Sequence, residues 1–462
     1  MSTVISVASA IFWGVLILSV LVFVHEGGHY LASRAFHVRA TEFFLGLPSR
    51  WKISRKSKKV GTEFGVTPFL LGGYTQICGM EPVSDELLAP ALQLVMRRGR
   101  IPVTDVASEL GIDVDHAYGL LVSLCDWAAI RPYYDPKLGE TPSQKNYPSS
   151  FETLERDPNH LTEYDRGHDF SLPGTTAAGE PHETGMSADE FLAHERSRTY
   201  LGASFPKRVV MLAAGPLVNI VLAFLIVTFA FMVRGVDYIP NVNTLGGVEE
   251  GSIAQESGLE GGDTIVTIGD TDVDTWDDIV LALQPLLESG EDFQIVYERD
   301  GATFTTTVDL PDGEKVEALG ISSQPRQTYH PGFLEAAQAT LDYTGQVASY
   351  VAQLLVPTRT MEILDQSSSI VGISAMAAEA ASTGLYNLMM FAAAISMSLG
   401  FMNLLPIPPF DGGKILIEII QLIIRRPLSM RAQSALSYLG VGFMIFVFVV
   451  VLKNDIFRFL IG

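Results

Sequence analysis

Five consecutive residues, His25-Glu26-Gly27-Gly28-His29, carry the chemistry most easily named in this 462-residue sequence. In an α-helix, positions four apart share a face and lie about 6 Å apart along the axis. Two imidazoles so placed can bind one metal ion. Glu26 projects close to the same face, where it can take a proton from a water that the metal activates. Zn²⁺ suits two histidine nitrogens plus a carboxylate, with a fourth position open to water, whose pKa it lowers toward about 7. The third donor must come from elsewhere. The candidate is Asp411, in Asn403-Leu-Leu-Pro406-Ile-Pro408-Pro409-Phe410-Asp411-Gly412-Gly413. Its three prolines and two glycines impose an irregular backbone at the end of an apolar run, which membrane depth tolerates only inside protein or beside a watery cavity. From the residues alone, Asp411 is either that third ligand or the cap of the next helix.

The elements that must position these groups are apolar. A bilayer core needs about 20 mostly apolar residues in a helix. Four runs qualify, at roughly 5–24, 209–233, 388–405 and 436–452. The first has no charge and lacks the basic start and small-residue cleavage site of a signal peptide, so it reads as retained. The third is the most polar, with Ser396, Ser398 and Asn403. Lys and Arg orient the chain. Arg34, Arg39, Arg50, Lys52, Arg55, Lys56, Lys58 and Lys59 follow the first run, and Lys207 and Arg208 precede the second. Lys414, Arg425, Arg426 and Arg431 separate the third and fourth. Residues 235–385 hold four Lys or Arg against 25 Asp or Glu. The first and third connections are therefore expected in the cytoplasm and the second outside. Lys453 and Arg458 are an exception to this count.

The formal net charge of −21 argues against nucleic acid as a partner. The two cysteines, Cys78 and Cys125, have no metal-ligand spacing and read as free thiols.

Together these motifs resemble the site-2 protease family of intramembrane zinc metalloproteases, in its bacterial branch with an extracytoplasmic PDZ domain. His25-Glu26-Gly27-Gly28-His29 is similar to the family's zinc helix, and Asn403 to Gly413 to its N-x-x-P-x-P-x-x-D-G-G segment. Gly215-Pro216-Leu-Val-Asn219 and Gly72-Gly73-Tyr74 match further family segments. The resemblance implies that His25, His29 and Asp411 are zinc ligands, that Glu26 is the general base and acid, and that Asn403 holds the substrate backbone or the developing oxyanion. It also implies a sheet dipping into the membrane near the zinc, with an edge strand able to pair with an unwound substrate. Two departures stand out. Lys414 follows the double glycine where a histidine is common, and Ser369-Ile370 replaces a usual Gly-Pro.

The expected fold is a multi-pass α-helical membrane protein with about four transmembrane helices. It divides into a first transmembrane helix with the zinc motif (1–33), a membrane-associated β-hairpin region (34–80), a winged-helix-like cytoplasmic insert (81–135) and a flexible linker (136–200). A second transmembrane helix (205–234), a PDZ domain (238–320) and an amphipathic, membrane-associated segment (330–385) follow. The third transmembrane helix with the Asp411 motif (386–413) and a cytoplasmic loop with the fourth (414–462) complete it. The insert carries 21 acids and 10 bases, which favours a cytoplasmic protein partner over DNA. The expected substrates are single-pass membrane proteins, such as anti-sigma factors or signal-peptide remnants, with a peptide tail at the PDZ domain. The expected place is the bacterial inner membrane, with lipid as solvent and the active site near the cytoplasmic side. The rival reading is a catalytically idle membrane scaffold that binds peptides through its PDZ domain.

Overall fold

The computed structural model describes residues 2–142, 144, 147–311, 316, 318–426, 428 and 430–460. Lys315, one of the four bases counted between 235 and 385, lies outside the described residues. The chain forms two compact units, residues 1–227 with 339–462 and residues 228–338.

The larger unit opens with α1 (Ser2–Ala35), whose only basic residue in the last turn is Arg34. Strands β1 (Ala40–Leu45), β2 (Ile53–Lys56), β3 (Glu63–Val66) and β4 (Gly73–Ile77) form one sheet in the order β2-β3-β1-β4. Of these, β2 and β3 make a hairpin, but β1 lies parallel to β3 and antiparallel to β4. The expected run of hairpins is thus a mixed sheet. Alternation of side chains reports a strand and its buried face, and it is silent on which strand lies alongside.

Helices α2 (Leu88–Arg98), α3 (Val103–Leu110) and α4 (Val114–Asp126) follow, with β5 (Arg100–Pro102) between the first two. Gly111 ends α3 at φ +67°, and Asp113 caps α4 by accepting from the His116 amide at 2.8 Å. Strands β6 (Ile130–Tyr133) and β7 (Ser150–Thr153) complete a sheet in the order β5-β7-β6. A helix α5 (Ala188–Arg196) begins at a Ser187/Glu190 capping box.

Residues 136–200 are therefore not a flexible linker among the described residues. Phe151 and Phe191 are fully buried in one core with Leu92, Val95, Ile101 and Leu121. The polar side chains of this stretch, read as marks of disorder, instead satisfy its backbone: Asp157 accepts from the amides of Asn159 and Leu161, and Asp165 from that of Thr162.

Then comes α6 (Phe205–Arg234), with Pro216 inside it. In the smaller unit β8 (Val236–Tyr238), β9 (Gly247–Val248), α7 (Ile253–Glu256), β10 (Thr264–Ile268), β11 (Thr271–Asp272), α8 (Trp276–Ser289), β12 (Phe293–Arg299), β13 (Ala302–Val308), β14 (Ile321–Ser322) and β15 (Gln327–Tyr329) follow one another. The order β11-β10-β12-β13 builds its main sheet, and β9 pairs with β14. Ile265, Ile268, Ile279, Ile295 and Val308 fill the core between this sheet and α8, which a Thr275/Asp278 capping box starts.

Helix α9 (Phe333–Ala352) leads back to the larger unit, where α10 (Pro357–Gln366), α11 (Ile370–Thr383), α12 (Leu385–Leu404), α13 (Asp411–Ile424) and α14 (Met430–Leu460) end the described chain. Among the described residues α1, α6, α12 and α14 are long and apolar enough to cross a membrane. Beside the Ser369-Ile370 departure, Ser369 caps α11, and buried Asp455 of α14 accepts from the Ser369 and Gly372 amides at 2.7 and 3.2 Å.

Candidate metal centre and catalytic cleft

Two helices meet at one point. Helix α1 brings His25 and His29, one turn apart, and α13 brings Asp411 as its first residue. All three are buried. Asp411 Oδ2 lies 3.2 Å from Nε2 of each histidine, and the two Nε2 atoms are 3.3 Å apart. Asp411 makes no capping hydrogen bond to its own helix, whose N-cap is Phe410. The side chain faces the histidines instead of the helix amides, so the geometry takes it out of the capping role.

The triangle fits zinc. Donors at 2.0–2.2 Å in tetrahedral array stand about 3.3 Å from one another. The tautomers fit as well. His29 Nδ1 lies 2.8 Å from the carbonyl oxygen of Met211, which only an Nδ1–H can satisfy, so Nε2 keeps its lone pair. The carboxamide of Asn219 faces His25 Nδ1 at 3.5 Å, and its own oxygen is buried without a partner. With that amide turned end for end, the oxygen accepts from Nδ1–H and the His25 Nε2 keeps its lone pair. Three lone pairs then converge on one point, an arrangement that a cation stabilises and that repels itself without one.

The backbone approaches closely to achieve this. A Cβ at Gly28 would stand 2.5 Å from the Ala214 carbonyl, so α1 and α6 touch main chain to main chain. A Cβ at Gly215 would lie 2.4 Å from His29 Nε2, the nitrogen that faces the metal point. Gly215→Ala is therefore expected to lower zinc affinity about 10- to 100-fold, read by competition with a chelator. Unchanged zinc retention would show that this contact does not shape the centre. The turn before α13 is equally tight, since a Cβ at Gly412 would meet the Leu404 carbonyl at 2.2 Å.

A cavity of about 250 Å³ opens beside the triangle. Glu26 and Asn403 both line it, each half-buried. Glu26 stands outside the donor triangle. Its backbone carbonyl accepts from Thr75 Oγ1 at 3.1 Å, which ties α1 to β4. Asn403, in the last turn of α12, donates one amide hydrogen to the Leu399 carbonyl at 3.0 Å. Thr75 and Ile77 of β4 form another part of the wall, and β4 is an edge of its sheet. Lys414 also lines the cavity, 3.7 Å from the other Asp411 oxygen.

Sequence reading thus named every residue of the triangle and both flanking polar groups. It missed the Met211 carbonyl and Tyr200. Tyr200 lines the cleft and donates to Glu418 at 3.0 Å, and Glu418 pairs with Arg208 at 2.9 Å. Burial and Glu418 both raise the Tyr200 phenol, which keeps its proton. Asn219 lay within a segment already singled out, so the signal for it was present.

Residues 13–447 match the sequence profile of peptidase family M50. The chain belongs to that family. It is an intramembrane zinc metalloprotease with the multi-pass helical architecture of a membrane protein. Relatives of this M50 peptidase match along almost their whole length. Regulator of sigma-W protease RasP of Bacillus subtilis is 26% identical over 450 residues, 96% of this chain and 97% of the relative. Zinc metalloprotease RasP of Shouchella clausii is 26% identical over 464 residues, 95% and 97% of the two chains. Zinc metalloprotease RasP of Geobacillus kaustophilus is 23% identical over 454 residues, 96% and 97%. The identities are low, but this M50 peptidase aligns with all three over at least 95% of its length.

Proposed function

We propose that this enzyme cuts single-pass membrane proteins within or beside the bilayer, as a step of regulated intramembrane proteolysis. Anti-sigma factors and signal-peptide remnants are the substrate classes, the first in keeping with the sigma-W regulator among its relatives. The observation that carries this reading is the convergence of His25, His29 and Asp411 beside an open sheet edge, at the end of a membrane-length helix.

In this reading His25 Nε2, His29 Nε2 and Asp411 Oδ2 hold the zinc. Bound there, zinc supplies Lewis acidity toward water and toward the scissile carbonyl. Glu26 shares the cleft without being a donor, so it takes a proton from the attacking water and returns it to the departing amine. A peptide bond inside a helix is shielded, so the substrate must be extended to be cut. The outer edge of β4 carries main-chain donors and acceptors along the cleft, and an extended substrate segment adds there as a fifth strand. Asn403, on the α12 side of the cleft, keeps a second amide hydrogen for the substrate backbone or the developing oxyanion.

The smaller unit is read as a PDZ domain. A groove of about 550 Å³ runs between α8 and residues 318–321, lined by Trp276, Val280, Leu283, Leu287, Leu319 and Ile321. A peptide tail lies there as a strand beside β14 and filters substrates. Residues 81–200 are read as a winged-helix-like module with an extension, and its acidic balance favours docking a cytoplasmic protein over nucleic acid. The counts of Lys and Arg support a cleft toward the cytoplasm and a PDZ domain outside the inner membrane.

The test is cleavage of a tagged single-pass substrate in vesicles, before and after zinc is removed and restored. Expected are loss and recovery of cleavage, with the cut inside or next to the apolar segment. Zinc-independent cleavage, or cuts confined to soluble segments, would overturn the reading. No cleavage of any substrate by the zinc-loaded protein would favour the idle scaffold.

A further inference from the structure

The sheet has two edges, and only one borders the cleft. β4 lines it, while β2 is the opposite edge. Every β2 position is exposed. Large apolar side chains stand open beside it, with Trp51 78%, Ile53 85% and Phe69 58% exposed, and Leu47, Val66 and Leu71 open as well. These residues gather at one end of the sheet, where Ile53 pairs with Val66 and Val66 with Leu45. That end reaches into the apolar run of α1, since Ser19 Oγ donates to the Leu70 carbonyl at 2.7 Å.

The other end is basic. Residues 55–59 hold four bases and no acid, in a chain whose net charge is −21. Lys56 pairs with Glu163. Arg55, Lys58 and Lys59 are exposed and make no ion pair among the described residues. From Ile53 to Lys56 the strand rises about 10 Å. Apolar side chains at one level, with cations about 10 Å along, follow the order of a bilayer interface, acyl chains first and phosphates next.

We propose that β2 and its flanks are a docking surface for an anionic bilayer. With Trp51, Ile53 and Phe69 at the acyl level, Arg55, Lys58 and Lys59 bind anionic phospholipid head groups. Uncompensated cations at this level distinguish anionic from zwitterionic lipid, because each gains free energy only from net negative surface charge. The contact fixes the height of a sheet whose far edge borders the cleft. Its effect on turnover rests on the proteolytic reading; the contact itself does not.

The test uses the full chain in vesicles of phosphatidylcholine, with or without about 30% phosphatidylglycerol. Brominated lipids report the depth of Trp51 as the quenching lost in Trp51→Phe. Wild type is expected to show deeper Trp51 quenching and at least about threefold faster cleavage with the anionic lipid, both reversed near 1 M salt. Combined R55Q, K58Q and K59Q should lose both responses while matching wild type in phosphatidylcholine. R55K should keep them. The milder pair K58Q and K59Q, in the exposed turn, should lose part of each. If either Gln variant responds to phosphatidylglycerol as wild type does, the surface is not a lipid anchor. If no protein cuts in any lipid but the quenching response still separates wild type from the threefold variant, the lipid surface stands and the proteolytic reading fails.

Discussion

Glu26→Gln should keep its zinc and lose between about 10² and 10⁴ in cleavage rate. The change preserves shape and removes only the ability to take a proton. Glu26 lies in the cleft but outside the triangle of His25, His29 and Asp411, so the donor set is untouched. Single-turnover cleavage of a single-pass substrate measures the rate, and metal analysis of the same sample measures zinc. Asp411→Asn is the contrast, because it changes a donor and should lower both. If Glu26→Gln also strips the metal, Glu26 is a ligand and the proton shuttle must be sought elsewhere.

Arg39→Leu should destabilise the protein by about 3–5 kcal/mol, because it leaves buried carboxylates without their cation. Arg39 is fully buried four residues past α1 and reaches across the module at 81–200. Its Nε and Nη2 bind Asp165 at 2.9 and 2.6 Å, and Nη1 binds Glu195 at 2.7 Å and the carbonyls of Trp127 and Ala128. Glu195 also accepts from Arg156 at 2.9 Å. Thermal unfolding followed through the buried Trp127 measures the loss, and a change under 1 kcal/mol would mean that water repairs the site. Acid should act in the same direction. Burial raises the Asp165 carboxyl, but the Arg39 charge overcomes this and holds it at about 2 against an ordinary 3.8. Since the folded value is the lower, this stabilisation is complete above about pH 4 and fades as the pH falls toward 2. Burial likewise favours a proton on Glu195, but the charges of Arg156 and Arg39 together outweigh it and hold the group well below the ordinary carboxylate range.

That cluster marks the limit of what the sequence discloses. His25, Glu26, His29 and Asp411 were legible because helical spacing and a Pro/Gly turn constrain them locally. The apolar runs were legible because length and absence of charge suffice. Arg39 was counted only as one more loop cation, although it binds residues 126 and 156 positions away. The module at 136–200 was missed for a related reason. Its prolines, glycines and acids resemble a solvated tether, yet Phe151, Arg156, Phe191 and Glu195 pack inside. A few buried residues per stretch leave no period to detect. Asn219 and the Met211 carbonyl meet histidines more than 180 positions away, a proximity that no pattern on one helix encodes.

The proposed metal donors come from positions 25, 29 and 411, and this spacing bears on the order of synthesis. A chain made from its N-terminus carries the histidine pair and Glu26 in the bilayer while almost 400 residues are still to come. Until the turn at 406–413 is threaded into place, the nascent protein offers two imidazoles and no carboxylate partner for them. Competence to hydrolyse is thus withheld until insertion is nearly finished, so a half-translated copy cannot attack its neighbours at the site of membrane insertion. A truncation anywhere before residue 411 is inert by the same logic, whatever else of the fold survives.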